Sequence, residues 1–240
     1  MNDDLPLSVV FVHGSWHGPW CWDKVRGRLE SRGVRTFAPS LPSTGPDPSR
    51  LGTFDDDVDS LRTTLDASGP ALVCSHSYGG LVSGAVHHPN ARHLVFLTAF
   101  MADEGEDWSA VASDEEPTLV ASALRFDSYG NVLVDPEIAT ACFYADCPKE
   151  DVTAALARLT PQSTEPFARP MPKPSWRTVP STFVVCEFDQ TISPRRQEAM
   201  AVRADHVIRL ASSHSAMLSH PDEVADIVER LARSHFHPHA

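Results

Sequence analysis

Lysine is nearly missing from this chain: Lys24, Lys149 and Lys173 are the only three among 20 basic residues. Against 32 acidic residues the net charge is -12. Nucleic acids and anionic membranes are both held by patches of Lys and Arg, so neither is expected as a partner. Long apolar runs are lacking too, and no stretch approaches the roughly 20 residues of a membrane span. Internal repeats and low-complexity tracts are absent, which excludes a solenoid. Cysteine is scarce and odd in number, at five. Cys21, Cys74 and Cys186 fall within apolar segments and read as reduced core thiols rather than a disulfide framework. Cys142 and Cys147 find no second pair that would complete a metal site. The opening Met1-Asn2-Asp3-Asp4-Leu5-Pro6 is acidic and unlike a secretory signal. With the thiols, it sets the expectation of a cytoplasmic protein. The histidines at 235, 237 and 239 read as a frayed polar terminus.

What is present is an ordinary soluble composition, 42% apolar and 22% charged, over 240 residues. That length fits one domain, or one domain with a large insertion. Val9-Val10-Phe11-Val12 is a continuous apolar run, as in a strand covered on both faces. A turn-rich loop follows at His13 to Gly18, then apolar residues at helical spacing from Trp20 to Leu29, with Gly33 as a stop. Val34 to Ala38 reads as a strand, Phe54 to Leu65 as a helix, Ala71 onward as a strand running into a helix that ends near Val86, and Leu94 to Leu97 as a strand. The alternation resumes with strand Ser181–Cys186, helix Pro194–Val202, strand Val207–Leu210 and helix Pro221–Leu231. It predicts a doubly wound, mostly parallel α/β sheet of about six strands. Residues 1–100 and 181–240 form this core, and 101–180 an insertion after the fourth strand. The insertion is expected to hold a hairpin over Leu124–Val134, helices at Pro136–Phe143 and Pro148–Leu159, and a Pro-rich return. It emerges from a strand's carboxyl end, where ligands bind in such sheets, and so is expected to act as a lid.

Cys74-Ser75-His76-Ser77-Tyr78-Gly79-Gly80 stands between a strand and a helix. Small residues two positions either side of Ser77 let the backbone reverse sharply, the pattern of a nucleophile elbow. Alone, five residues of this kind are more often an ordinary loop. A serine hydroxyl also needs a base to take its proton and a carboxylate to orient that base. Asp189 follows the strand that ends at Cys186, and His214 follows the strand that ends at Leu210. Asp189 by itself could be a helix cap, and His214 is one of 12 histidines. The joint order Ser77, Asp189, His214, each at a strand's carboxyl end, is what discriminates. Glu187 and Asp103 are weaker candidates for the acid. The oxyanion is expected to be held by the N–H of Tyr78 and by that of Ser15, with Trp16 as the alternative. Trp16, His17, Tyr78, Met101, Trp108, Phe143 and Met217 lie near the predicted mouth in sequence.

These segments, with the His13-Gly14-Ser15-Trp16-His17-Gly18-Pro19-Trp20 loop and the stretch from His214 to Pro221, resemble the α/β-hydrolase superfamily. The resemblance is to its methylesterase and hydroxynitrile-lyase branch. It covers nearly the whole chain and is weakest in the insertion. It implies a serine esterase acting on a small, fairly apolar carboxylic ester, with no metal or organic cofactor. It also leaves two alternatives, a hydroxynitrile-type lyase and a non-catalytic small-ligand receptor. Ser75 stands where the elbow usually has Gly. Lyases of this branch carry a Thr after the loop His and a Lys after the catalytic His, where this chain has Gly14 and Ser215. The esterase side is therefore expected. A small-molecule ester is the partner sought, and the composition is compatible with a homodimer.

Overall fold

The structure, a computed structural model, describes residues 7–107 and 119–234. The short amino-terminal segment, Trp108 and the terminal histidines lie outside the described residues. Strands β1 (Ser8–Val12), β2 (Thr36–Phe37), β3 (Ala71–Ser77), β4 (Ala91–Ala99), β7 (Ser181–Cys186) and β8 (His206–Leu210) form one sheet in the order β2-β1-β3-β4-β7-β8. Every neighbouring pair is parallel. Strands β5 (Leu124–Phe126) and β6 (Val132–Val134) form a separate antiparallel hairpin. The crossover helices are α1 (Asp23–Ser31), α2 (Phe54–Ser68), α3 (Gly79–Ala85) and α7 (Pro194–Ala201), and β8 is followed by a short α8 (Ala216–Ser219) and by α9 (Pro221–Ser234). The segment between β4 and β7 carries α4 (Leu119–Ala123), α5 (Pro136–Phe143) and α6 (Lys149–Leu156).

The apolar runs explain the layering. All five residues of β1 and all seven of β3 are buried, because helices cover both faces of the sheet. Alternation then divides the core in two. Val9, Phe11, Leu72, Cys74, Val95 and Leu97 face α1 and α9, while Val10, Val12, Val73, Leu94 and Phe96 face α2 and α3. Helix α2 begins where Thr53 and Asp56 cap each other's backbone N–H groups, followed by acidic residues against the positive end of the dipole. Helix α9 lays Val224, Ala225, Ile227, Val228 and Ala232 on the sheet.

Two strands differ in length from the sequence expectation by more than one residue. Strand β4 extends three residues earlier, since His93 is buried and hydrogen-bonded to Thr182 Oγ1 at 2.9 Å. Strand β2 is only two residues long and lies at one edge of the sheet. Past Leu97, β4 also carries a bulge: His76 pairs with Leu97 but Ser77 with Ala99, so Thr98 is the additional residue.

Helix α3 starts pressed against the sheet. A Cβ on Gly80 would lie 2.3 Å from the Phe100 carbonyl oxygen, and one on Gly79 would lie 2.7 Å from the carbonyls of Val12 and His13. Backbone cannot yield as a side chain can. Gly80→Ala is therefore expected to destabilise the fold by about 1–3 kcal/mol, as overpacking does. Thermal unfolding should show a midpoint several degrees lower; an unchanged midpoint would contradict this packing.

Candidate active site

Ser77 ends β3 with φ 52°, in the left-handed region that a β-carbon disfavours. The loop after β1 closes over it: a Cβ on Gly14 would lie 2.8 Å from Ser77 Cβ. The N–H groups of Ser15 and of Tyr78 donate to no group among the described residues, which leaves both open to an oxyanion. Trp16 also has positive φ, 62°, but its indole donates to the Val132 carbonyl at 2.9 Å, tying it to the inserted segment. Ser75 fits where Gly is usual because its hydroxyl donates to the Val95 carbonyl and accepts from Ser83.

Asp189 and His214 meet. His214 Nδ1 donates to Asp189 Oδ2 at 2.7 Å, and both residues are buried. The carboxylate is surrounded by donors: Thr191 N–H and Ile192 N–H on Oδ1, and Gln197 Nε2 and Thr98 Oγ1 on Oδ2. Such a full set of hydrogen bonds fixes the orientation of the carboxyl group. The alternative acids are elsewhere. Asp103 is paired with Arg177, and Glu187 is exposed. His214 is brought beside the elbow by His76, whose Nε2 donates to the His214 carbonyl at 3.0 Å, ring against ring at 4.5 Å. Among the described residues no hydrogen bond joins Ser77 Oγ to the imidazole.

Three participants here carry no signal in the sequence. Thr98 reaches Asp189 because of the bulge and its φ of 37°. Gln197 comes from α7 and also accepts from Cys186 N–H at 2.8 Å, locking the end of β7. Asp146, between α5 and α6, accepts from Ser213 N–H at 2.7 Å and from the Ser212 and Ser213 hydroxyls, just before His214.

Of the residues expected near the mouth, Phe143 touches the base. Its ring lies 5.7 Å from that of His214 and 5.7 Å from that of Trp16. His17 is buried, donates from Nδ1 to the Ser15 carbonyl and accepts at Nε2 from Tyr144 Oη, 2.7 Å. Met101 belongs to the core cluster that also holds Met200, and Met217 is fully buried in the opposite cluster. The Tyr78 ring points away from the elbow and donates its hydroxyl to Asp57 Oδ2 at 2.5 Å.

The rival nucleophiles are quenched. Burial raises Cys142 to about 11 and Cys147 to about 12, so neither is a thiolate at neutral pH. Among the described residues no group of three or more His, Cys, Asp or Glu is placed to hold a metal ion. No described helix is long and apolar enough to cross a membrane.

A parallel α/β sheet with a strained serine turn and a buried carboxylate–imidazole pair at its carboxyl edge defines a hydrolase-type site. The chain belongs to the alpha/beta hydrolase family, whose model matches residues 9–227. It is similar to Methylesterase 1 of Arabidopsis thaliana, 28% identical over 93% of this chain and 95% of that protein. It is 25% identical to Norfluorocurarine synthase 1 of a Strychnos species, over 96% of this chain and 97% of that protein. The structure of a pyrethroid hydrolase from Sphingobium faniae superposes with a TM-score of 0.83 and 25% identity, covering 94% of this chain and 97% of that one.

Burial also fixes a pH response. His13 is lowered to about 4 and His17 to about 3 by desolvation, and His76 is lowered as well by the same cause. The unfolded chain, with histidines near 6.5, therefore holds more protons than the folded one between about pH 4 and 6.5. Stability falls as pH drops through that window. Asp57, raised to about 6 by burial, acts in the opposite sense, but it is one group against three. Urea unfolding measured at a series of pH values should show a declining free energy from pH 6.5 to 4. A flat profile would refute it.

Proposed function

We propose that this chain is a serine esterase that cleaves a small, fairly apolar carboxylic ester through an acyl-enzyme. His214 takes the Ser77 proton as Oγ attacks the ester carbonyl, and the oxyanion accepts from the N–H groups of Tyr78 and Ser15. Asp189 keeps the imidazole oriented through Nδ1 and stabilises its positive form. His214 then protonates the leaving alkoxide. Water, deprotonated by the same imidazole, attacks the acyl group and releases the acid. The scheme uses no metal or organic cofactor. Residues 101–180 act as the lid that shapes the substrate site, with Trp16, His17 and Phe143 at its floor, and the setting is cytoplasmic.

The observation that carries this reading is the buried Asp189–His214 bond held one residue contact from the strained Ser77 turn. Nucleophile–base contacts are often long in unliganded sites and tighten when substrate arrives, so the open Ser77–His214 gap is compatible with it. Against the lyase alternative stands Gly14. A side chain there would meet Ser77 Cβ at 2.8 Å and His76 Nδ1 at 3.0 Å, which leaves no room for the Thr of the lyases.

Ser77→Ala is expected to lower the hydrolysis of p-nitrophenyl butyrate by about 10⁴-fold or more, as loss of a triad member does. Circular dichroism should remain that of the folded protein. Turnover retained in that variant would remove the proposal.

A further inference from the structure

Asp57 is a buried carboxylate that the reaction above does not use. It lies on α2, fully buried, and its partners are all neutral: Ser43 N–H at 2.8 Å, Ser43 Oγ at 2.5 Å and Tyr78 Oη at 2.5 Å. The charged neighbour that acts on it is Asp56, of the same sign. Keeping an ionisable group in such a place opposes folding at neutral pH. A hydrophobic residue would serve packing better, so what the carboxylate holds is the informative part.

It holds two separate pieces of chain directly and reaches a third through one of them. Tyr78 is the residue directly after Ser77 and the cap of α3, and its own N–H donates to no group among the described residues. Ser43 belongs to the loop after β2. Ser43 in turn accepts from Gln162 of the inserted segment, whose Nε2 reaches the Ser43 hydroxyl at 2.9 Å and its carbonyl at 3.1 Å. Gln162 is bridged to Val132 of the hairpin through both backbone groups. A short chain of hydrogen bonds thus runs from the hairpin to the residue that supplies the oxyanion donor.

We infer that Asp57 is a positioning residue for the oxyanion hole: by fixing the Tyr78 side chain and Ser43 together, it sets where the Tyr78 N–H points and couples that direction to the inserted segment. This rests on the esterase reading above. The physical basis is that an oxyanion donor is worth most when it is preorganised, since the transition state gains only from dipoles already in place. Tyr78 sits at a strained turn with no helix turn before it to define its orientation. The hydroxyl tether, about 6 Å of rigid ring away from the backbone, supplies that definition.

The test uses the whole protein, p-nitrophenyl butyrate and four variants. Tyr78→Phe removes one hydroxyl and leaves the ring; Asp57→Asn removes the charge at constant shape; the double variant and Ser77→Ala complete the set. Removing an oxyanion donor outright costs around 10²–10³ in rate, and a donor left in place but loosely aimed should cost less. Each single variant is expected to lose about 10-fold in kcat with KM within about twofold of wild type. The double variant should be no slower than Asp57→Asn, because both changes break the same link. Thermal unfolding of each variant is recorded alongside, and if Asp57→Asn fails to fold, Tyr78→Phe decides. Singles whose kcat stays within twofold of wild type, a loss carried by KM, or losses that multiply in the double variant would each overturn the inference. Ser77→Ala separates the two ideas. If it is inactive while Tyr78→Phe matches wild type, only the positioning role falls; if it turns over like wild type, the esterase reading falls.

Discussion

The reversal of the chain at Ser77 depends on backbone meeting backbone at distances no side chain tolerates. At Gly79 and Gly80 the start of α3 meets the backbone of Val12 and His13 and that of Phe100, and at Gly14 the loop after β1 meets the Ser77 Cβ. The Phe100 N–H donates to the Ser77 carbonyl at 3.0 Å and closes the arrangement from the β4 side. A serine with positive φ is strained by order 1–3 kcal/mol, and it persists only where the surroundings leave the backbone no alternative. Here they leave none: the sheet below and the helix dipole end behind fix both sides of the turn. The consequence is chemical. The hydroxyl is lifted out of the sheet at the edge where the loops after β1, β7 and β8 also end.

That edge is organised by polar groups taken out of water. Three histidines around the elbow are neutral, and each has its tautomer set by a carbonyl. His13 Nδ1 donates to Gly14, His17 Nδ1 to Ser15 and His76 Nε2 to His214. None of them competes with His214 for the Asp189 charge. His214 differs in the one respect that matters to a base: its Nδ1 partner is a carboxylate rather than a carbonyl, so the imidazolium form has a counter-ion. A cluster of otherwise similar rings is in this way differentiated by what each one faces.

The six-stranded parallel sheet could be read from the chain because burial on both faces writes uninterrupted apolar runs, and Val9–Val12 and Phe183–Cys186 are such runs. Asp189 and His214 were legible for a related reason: parallel connectivity brings every strand's carboxyl end to one edge, so sequence order alone predicts proximity. Thr98 was not legible, because a bulge is a property of pairing between two strands and leaves no mark in the residues themselves. Gln197 and Asp146 were missed similarly. A Gln inside an amphipathic helix and an Asp in a loop read as solvated until the tertiary structure turns them toward Cys186 or Ser213. Tyr78 directly follows Ser77 in the chain, yet its side chain is held by Asp57 on another helix. Nothing local predicts that direction, since the partner carboxylate is 21 residues earlier on another helix.

The inserted segment is tied into the site more deeply than a simple cover would be. The carbonyl of Cys142 accepts from Thr191 Oγ1 at 2.9 Å in the loop after Asp189, and the carbonyl of Phe143 accepts from Ser215 N–H at 3.1 Å in the loop after His214. Asp146 holds Ser212 and Ser213 from the same side. The carboxyl end of one helix therefore clasps both the acid loop and the base loop, while its phenyl ring meets the imidazole between them. A cover attached only through hinges could open without disturbing the groups beneath it. A segment whose backbone oxygens hold the Asp189 and His214 loops cannot move at this end without loosening their alignment. The α5 terminus is in this way part of the frame that holds the Asp189 and His214 loops together.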